Sequence, residues 1–150
     1  MSRVRLYAVL ATAGVVPFAA WALLRLMEID LIPVLGHVDL AGTTYAALII
    51  AFLAGSHWGN TLHSNQPSDC RILWISNLVM LSAWVSLVML PFGVLQISVY
   101  IISLVVLLLV DLHLLRNNQI TESYYTTRLT ITGLVIMLLF VTGVTYGTRY

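Results

Sequence analysis

Five long apolar stretches, separated by short polar or Pro/Gly breaks, occupy most of this chain and leave little that could fold in water. A bilayer core roughly 30 Å thick is crossed by about 20 helical residues. Leu6–Leu26, Thr43–Leu62, Ile72–Leu90, Leu95–Leu115 and Leu129–Tyr146 each come close to that length. In hydrocarbon the backbone must satisfy its own hydrogen bonds, so stretches of this kind are expected as helices. The expected fold class is all-α: one integral membrane bundle of five transmembrane helices occupying residues 1–150.

Composition removes the soluble alternatives. Hydrophobic residues make up 60% of the chain and charged residues 9%, against about 25% charged in a soluble domain. The seven basic residues, all arginine, are scattered, so the clustered basic surface that nucleic acid requires is missing. Cys70 is the single cysteine and has no partner for an internal disulfide; no zinc spacing is present. Arg3 and Arg5 before an apolar run, with Ala20-Trp21-Ala22 after it, resemble a secretory leader and its cleavage site. The apolar run continues past that tripeptide with bulky Trp21 inside it, so a retained helix is expected, kinked near Pro17.

The first loop is expected over Met27–Gly42, with Glu28, Asp30, His37 and Asp39; the second over His63–Arg71, turning around Asn65-Gln66-Pro67-Ser68-Asp69. Pro91-Phe92-Gly93 forms the third, and Arg116–Arg128 the fourth. Threaded in this way, Arg3, Arg5, Arg71, Arg116 and Arg128 fall on one side and only Arg25 and Arg149 on the other. Short loops rich in arginine stay in the cytoplasm, which predicts a cytoplasmic amino terminus and a carboxyl terminus outside. Trp21, Trp74, Tyr146 and Tyr150 lie near span ends and are expected in the interfacial aromatic belt.

Span two carries Ala47, Ala51, Gly55 and Gly59 at intervals of four, a smooth ridge along one helix face. Small residues let helices approach closely in lipid. The ridge is expected to pack inside the monomer, and it also offers a route to a homo-oligomer through Gly55 and Gly59. His57 lies within the same G-x-x-x-G segment, where three roles are open to it: an interhelical hydrogen bond, a haem or metal ligand, or a proton carrier. Asp111 is the only carboxylate inside an apolar run, and a buried carboxylate must be neutralised or paired. Arg128, at matching depth, predicts an Asp111–Arg128 ion pair between spans four and five. His113 is about 200° from Asp111 around the helix at about 100° per residue, so it is expected to face away. By depth, His57, Trp58, Asn77, Asp111 and Arg128 are the ligand-binding candidates, gathered at the cytoplasmic leaflet. No serine, cysteine or carboxylate pair stands with a base in a catalytic constellation, so no catalytic residue and no metal site are assigned.

Gly14-Val15-Val16-Pro17-Phe18, Tyr45, the run Ile49-Ile50-Ala51-Phe52-Leu53-Ala54-Gly55-Ser56-His57-Trp58-Gly59, Ser76, Trp84, Asp111, Tyr125 and Arg128-Leu129-Thr130 resemble the transmembrane protein 69 family. The resemblance runs over nearly the whole chain. It departs from the family pattern at Ala54, where glycine is frequent, and at Asn77, where proline is common. It implies a small multi-span protein of the bacterial inner membrane, or of the mitochondrial inner membrane in eukaryotes, and brings no known reaction with it. The function expected is a non-enzymatic accessory or assembly subunit packing against a larger membrane complex. The alternative is a binding protein for a quinone, haem or lipid headgroup, whose partners are membrane lipids and not nucleic acid.

Overall fold

The computed structural model describes residues 3–62 and 69–147. The expected turn at Asn65-Gln66-Pro67-Ser68 and the belt position of Tyr150 lie outside them. Helices α1 (Arg3–Ala13) and α2 (Val16–Leu26) precede a two-stranded antiparallel hairpin of β1 (Leu31–Ile32) and β2 (Gly36–His37). Helices α3 (Val38–Leu62), α4 (Asp69–Met89), α5 (Val94–Arg116) and α6 (Glu122–Gly147) follow. Five helical segments, with α1 and α2 together as the first, are long and apolar enough to cross a membrane.

The kink expected in the first span is a break. Pro17 occupies the first turn of α2, where its missing N–H costs nothing, and the regular helix is interrupted by a turn at Gly14 and Val15. Tyr45 of α3 donates its hydroxyl proton to the Gly14 carbonyl at 3.0 Å, satisfying an acceptor that the broken helix leaves over. Phe18 meets the Tyr45 ring edge-on at 5.2 Å. Removing the hydroxyl alone, in Tyr45→Phe, should lower stability by about 1 kcal/mol. Thermal unfolding of the detergent-solubilised protein measures it.

Helices α3 and α6 start earlier than expected, at Val38 and Glu122 instead of Thr43 and Leu129. Polar residues carry both helices beyond the apolar zone, with Asp39 and Glu122 in their first turns, where the helix dipole favours negative charge. The Tyr124 amide donates to Thr121 Oγ1 at 3.3 Å just before α6. The fourth loop therefore shrinks to residues 117–121.

Helices α2 to α6 form a closed ring in which each packs on the next and α6 returns to α2; α3 and α5 also touch across it. The seam buries Ala46, Ile50, Ala54, Ala83, Leu104, Leu107, Val135 and Leu139. Outward positions such as Leu48, Phe52, Leu78, Trp84, Ile102 and Phe140 stay exposed, while Thr43, Ser76, Gln96, Thr132 and Thr142 are buried. Apolar side chains outside and hydrogen-bonding ones inside is the arrangement a lipid solvent rewards.

Two expectations about faces are corrected. The buried stripe of α3 runs through Thr43, Ala46, Ala47, Ile50, Ala54, His57 and Thr61, so Ala47 packs inward but Gly55 and Gly59 are exposed. A side chain added at either glycine meets nothing within 4 Å. Small size permits close packing without commanding it, and in this helix the face with Thr43, His57 and Thr61 turns inward while Leu48 and Phe52 face out. Trp21 and Tyr146, expected in the belt, are 3% and 5% exposed; Trp74, at 70% exposure, faces outward.

Candidate functional site

Three helices converge on one carboxylate. Asp111, near the end of α5, accepts from Arg128 Nε on α6 at 3.0 Å through one oxygen and pairs with His57 Nε2 on α3 at 2.8 Å through the other. A carboxylate is acceptor-only, so Nε2 is the protonated nitrogen of His57. All three side chains are buried, with Asp111 1% exposed, His57 2% and Arg128 6%. The ion pair expected from depth alone is formed, and His57 joins it as a third member.

The helix geometry explains why these residues meet. His57 falls on the α3 stripe that faces α5, Asp111 lies on the α5 stripe with Leu104 and Leu107, and Arg128 points inward from the second turn of α6. His113, two residues beyond Asp111, is exposed and bonds Asn117 at 2.9 Å. The opposite charges of Asp111 and Arg128 balance within the cluster. Neutrality matters because an unpaired charge in a low-dielectric interior is strongly penalised.

Two cavities adjoin the cluster and share Ser56 and Tyr124 as a common wall. The polar one, about 290 Å³, is lined by His57, Asn60, Asp111, Ile120 and Thr121 as well. The apolar one, about 450 Å³, lies among α1, α2, α3, α5 and α6 and ends on Arg128. Its walls include Leu10, Phe18, Ile49, Phe52, Leu53, Ile131 and Val135. Leu10 and Phe52 are 62% and 72% exposed, so the cavity opens sideways between α1 and α3. Tyr7 of α1 stacks on Tyr124 of α6, ring centres 5.2 Å apart, and closes the polar end.

The other ligand-binding candidates lie elsewhere. Trp58 and Asn77 line a small groove between α3 and α4 with Ala51, Gly55, Ser76 and Met80, on a different side of α3 from the Asp111 cluster. Same depth does not mean same face. Sequence reading also missed Tyr7 and Tyr124, whose aromatic rings at the ends of two spans were not distinguishable from belt residues.

A second polar cluster at the opposite end of the bundle was not foreseen. Arg25 of α2 is 5% exposed and bonds Asp30 at 2.8 Å and Asp39 at 3.2 Å. Its guanidinium lies 4.3 Å over the Tyr146 ring, and Trp21 Nε1 donates to Asp39 at 3.2 Å. One arginine at a span end followed by two carboxylates was the signal available. The cluster ties the hairpin loop, α2, α3 and α6 together.

Over residues 4–144 the chain matches the family described as "Protein of unknown function (DUF3429)". The chain belongs to that family. The match takes in His57, Asp111 and Arg128 together with both cavities beside them. No curated protein and no solved structure matches it.

Proposed function

We propose that this family member is a membrane-embedded binding protein for an amphiphilic small molecule, held with its polar end at His57, Asp111 and Arg128. One observation carries the reading: an apolar cavity of about 450 Å³ that opens toward lipid and terminates on a buried arginine. Small-molecule sites are typically about 300–1,000 Å³, apolar, with a few convergent polar groups. A quinone or a lipid suits such a volume. The resemblance to transmembrane protein 69 and the arginine distribution support a bacterial inner-membrane location with the cluster at the cytoplasmic leaflet.

Mass spectrometry of an organic extract of the protein, purified in a mild detergent, tests this. About one amphiphile per chain is expected; a preparation that is folded yet carries none and takes up none removes the reading.

The accessory or assembly role in a larger complex is a second reading, supported by the exposed Gly55, beside which none of the described residues comes within 4 Å of an added side chain. Such a smooth strip admits a close helix from another chain. Native gels of gently solubilised membranes would then show a large species that Gly55→Leu shifts to the free protein. A single small species in both cases excludes it.

A further inference from the structure

We infer that the occupant of the Arg128 cavity carries an uncharged, carbonyl-bearing head, so that the site selects neutral amphiphiles over anionic lipids. The inference rests on the reading of that cavity as a binding site and adds the chemistry of the ligand. Arg128 is the only arginine or lysine among the described side chains that line the two cavities, and Asp111 is already paired with it. A phosphate head placed there would bring a negative charge for which the described lining offers no further arginine or lysine. Burying such a charge beside Asp111 is heavily disfavoured.

What the site does offer is hydrogen-bond donors. Arg128 engages Asp111 through Nε, and a guanidinium has four more N–H bonds on its two terminal nitrogens. Arg128 lines the apolar cavity, and Asp111 is its one hydrogen-bonding partner among the described residues. A carbonyl oxygen is an acceptor without a charge and matches those donors. Tyr124, on the wall shared with the polar cavity, adds a hydroxyl, whereas that of Ser56 already donates to the Leu53 carbonyl at 2.7 Å. The tail then follows Phe18, Ile49, Leu53 and Ile131 to the opening at Leu10 and Phe52. Isoprenoid quinones and neutral glycerolipids share this chemistry.

The experiment is a titration of the full-length protein in nanodiscs with three probes: decylubiquinone, dioctanoylglycerol and dioctanoylphosphatidic acid. Tryptophan fluorescence and thermal shift are both read. Wild-type protein should bind at least one neutral probe at least tenfold more tightly than the anionic one, and which neutral probe wins separates quinone from glycerolipid. Ala11→Phe and Ile131→Phe, which fill the cavity from α1 and α6 without touching the cluster, should each weaken that binding at least tenfold while leaving the unfolding temperature of the empty protein nearly unchanged. Equal or tighter binding of the phosphatidic acid, still abolished by the two filling variants, overturns the neutral-head inference and leaves the cavity reading intact. Binding of no probe, or binding that neither folded variant changes, overturns both.

Discussion

Asp111→Leu is expected to destabilise the protein by about 3–5 kcal/mol, because it strands the Arg128 guanidinium in the interior without a counter-charge. Arg128 is 6% exposed and cannot recover the loss by turning to solvent. In a chain of this size the unfolding temperature in detergent should fall by about 10 °C or more. Breaking a buried pair is far worse than replacing it with apolar residues. Asp111→Leu combined with Arg128→Leu should therefore regain much of the loss, although His57 then keeps an unpaired Nε2–H. If the single variant unfolds at the wild-type temperature, the Asp111–Arg128 contact is not formed in the membrane protein.

Gly42→Ala is the second large effect. An added Cβ at Gly42 would overlap three atoms of the Trp21 indole, and Trp21 is 3% exposed with its Nε1 bonded to Asp39. Moving the ring aside gives up that bond and disturbs the Asp39–Arg25 contact. Overpacking costs about 1–3 kcal/mol, and here the clash is with a rigid ring held at one edge. Stability and Trp21 fluorescence should both report it. Because the two residues touch, Gly42→Ala and Trp21→Phe together should be less harmful than the sum of the single changes. Full additivity in that cycle would rule out the clash as the cause.

The spans were legible because lipid imposes a length on apolar runs, and all five are present. Their ends were not. At Val38 and Glu122 the helices begin in polar sequence, since hydrophobicity marks how thick the membrane is and backbone hydrogen bonding decides where a helix starts. The Asp111–Arg128 contact was legible for a related reason: a lone carboxylate at depth requires a cation, and few were available. His57 as the third member was not, because depth along a helix says nothing about rotation around it. The same gap misdirected Trp58 and Asn77, which share the depth of the cluster and face another groove. It also misread Gly55 and Gly59, whose smallness is equally compatible with an outward face.

Sequence alone determined that this chain is a membrane bundle of about five helices with a buried ion pair near one end. Both conclusions follow from the cost of placing unsatisfied backbone or unpaired charge in hydrocarbon, a cost that depends on residue type and spacing. Only the tertiary structure decided which faces turn inward, that α1 and α2 part at Gly14, and that a cavity remains where the half-helix α1 leans against α6. Those features depend on the volumes of side chains from different helices meeting in one place, and no single stretch of sequence contains that sum.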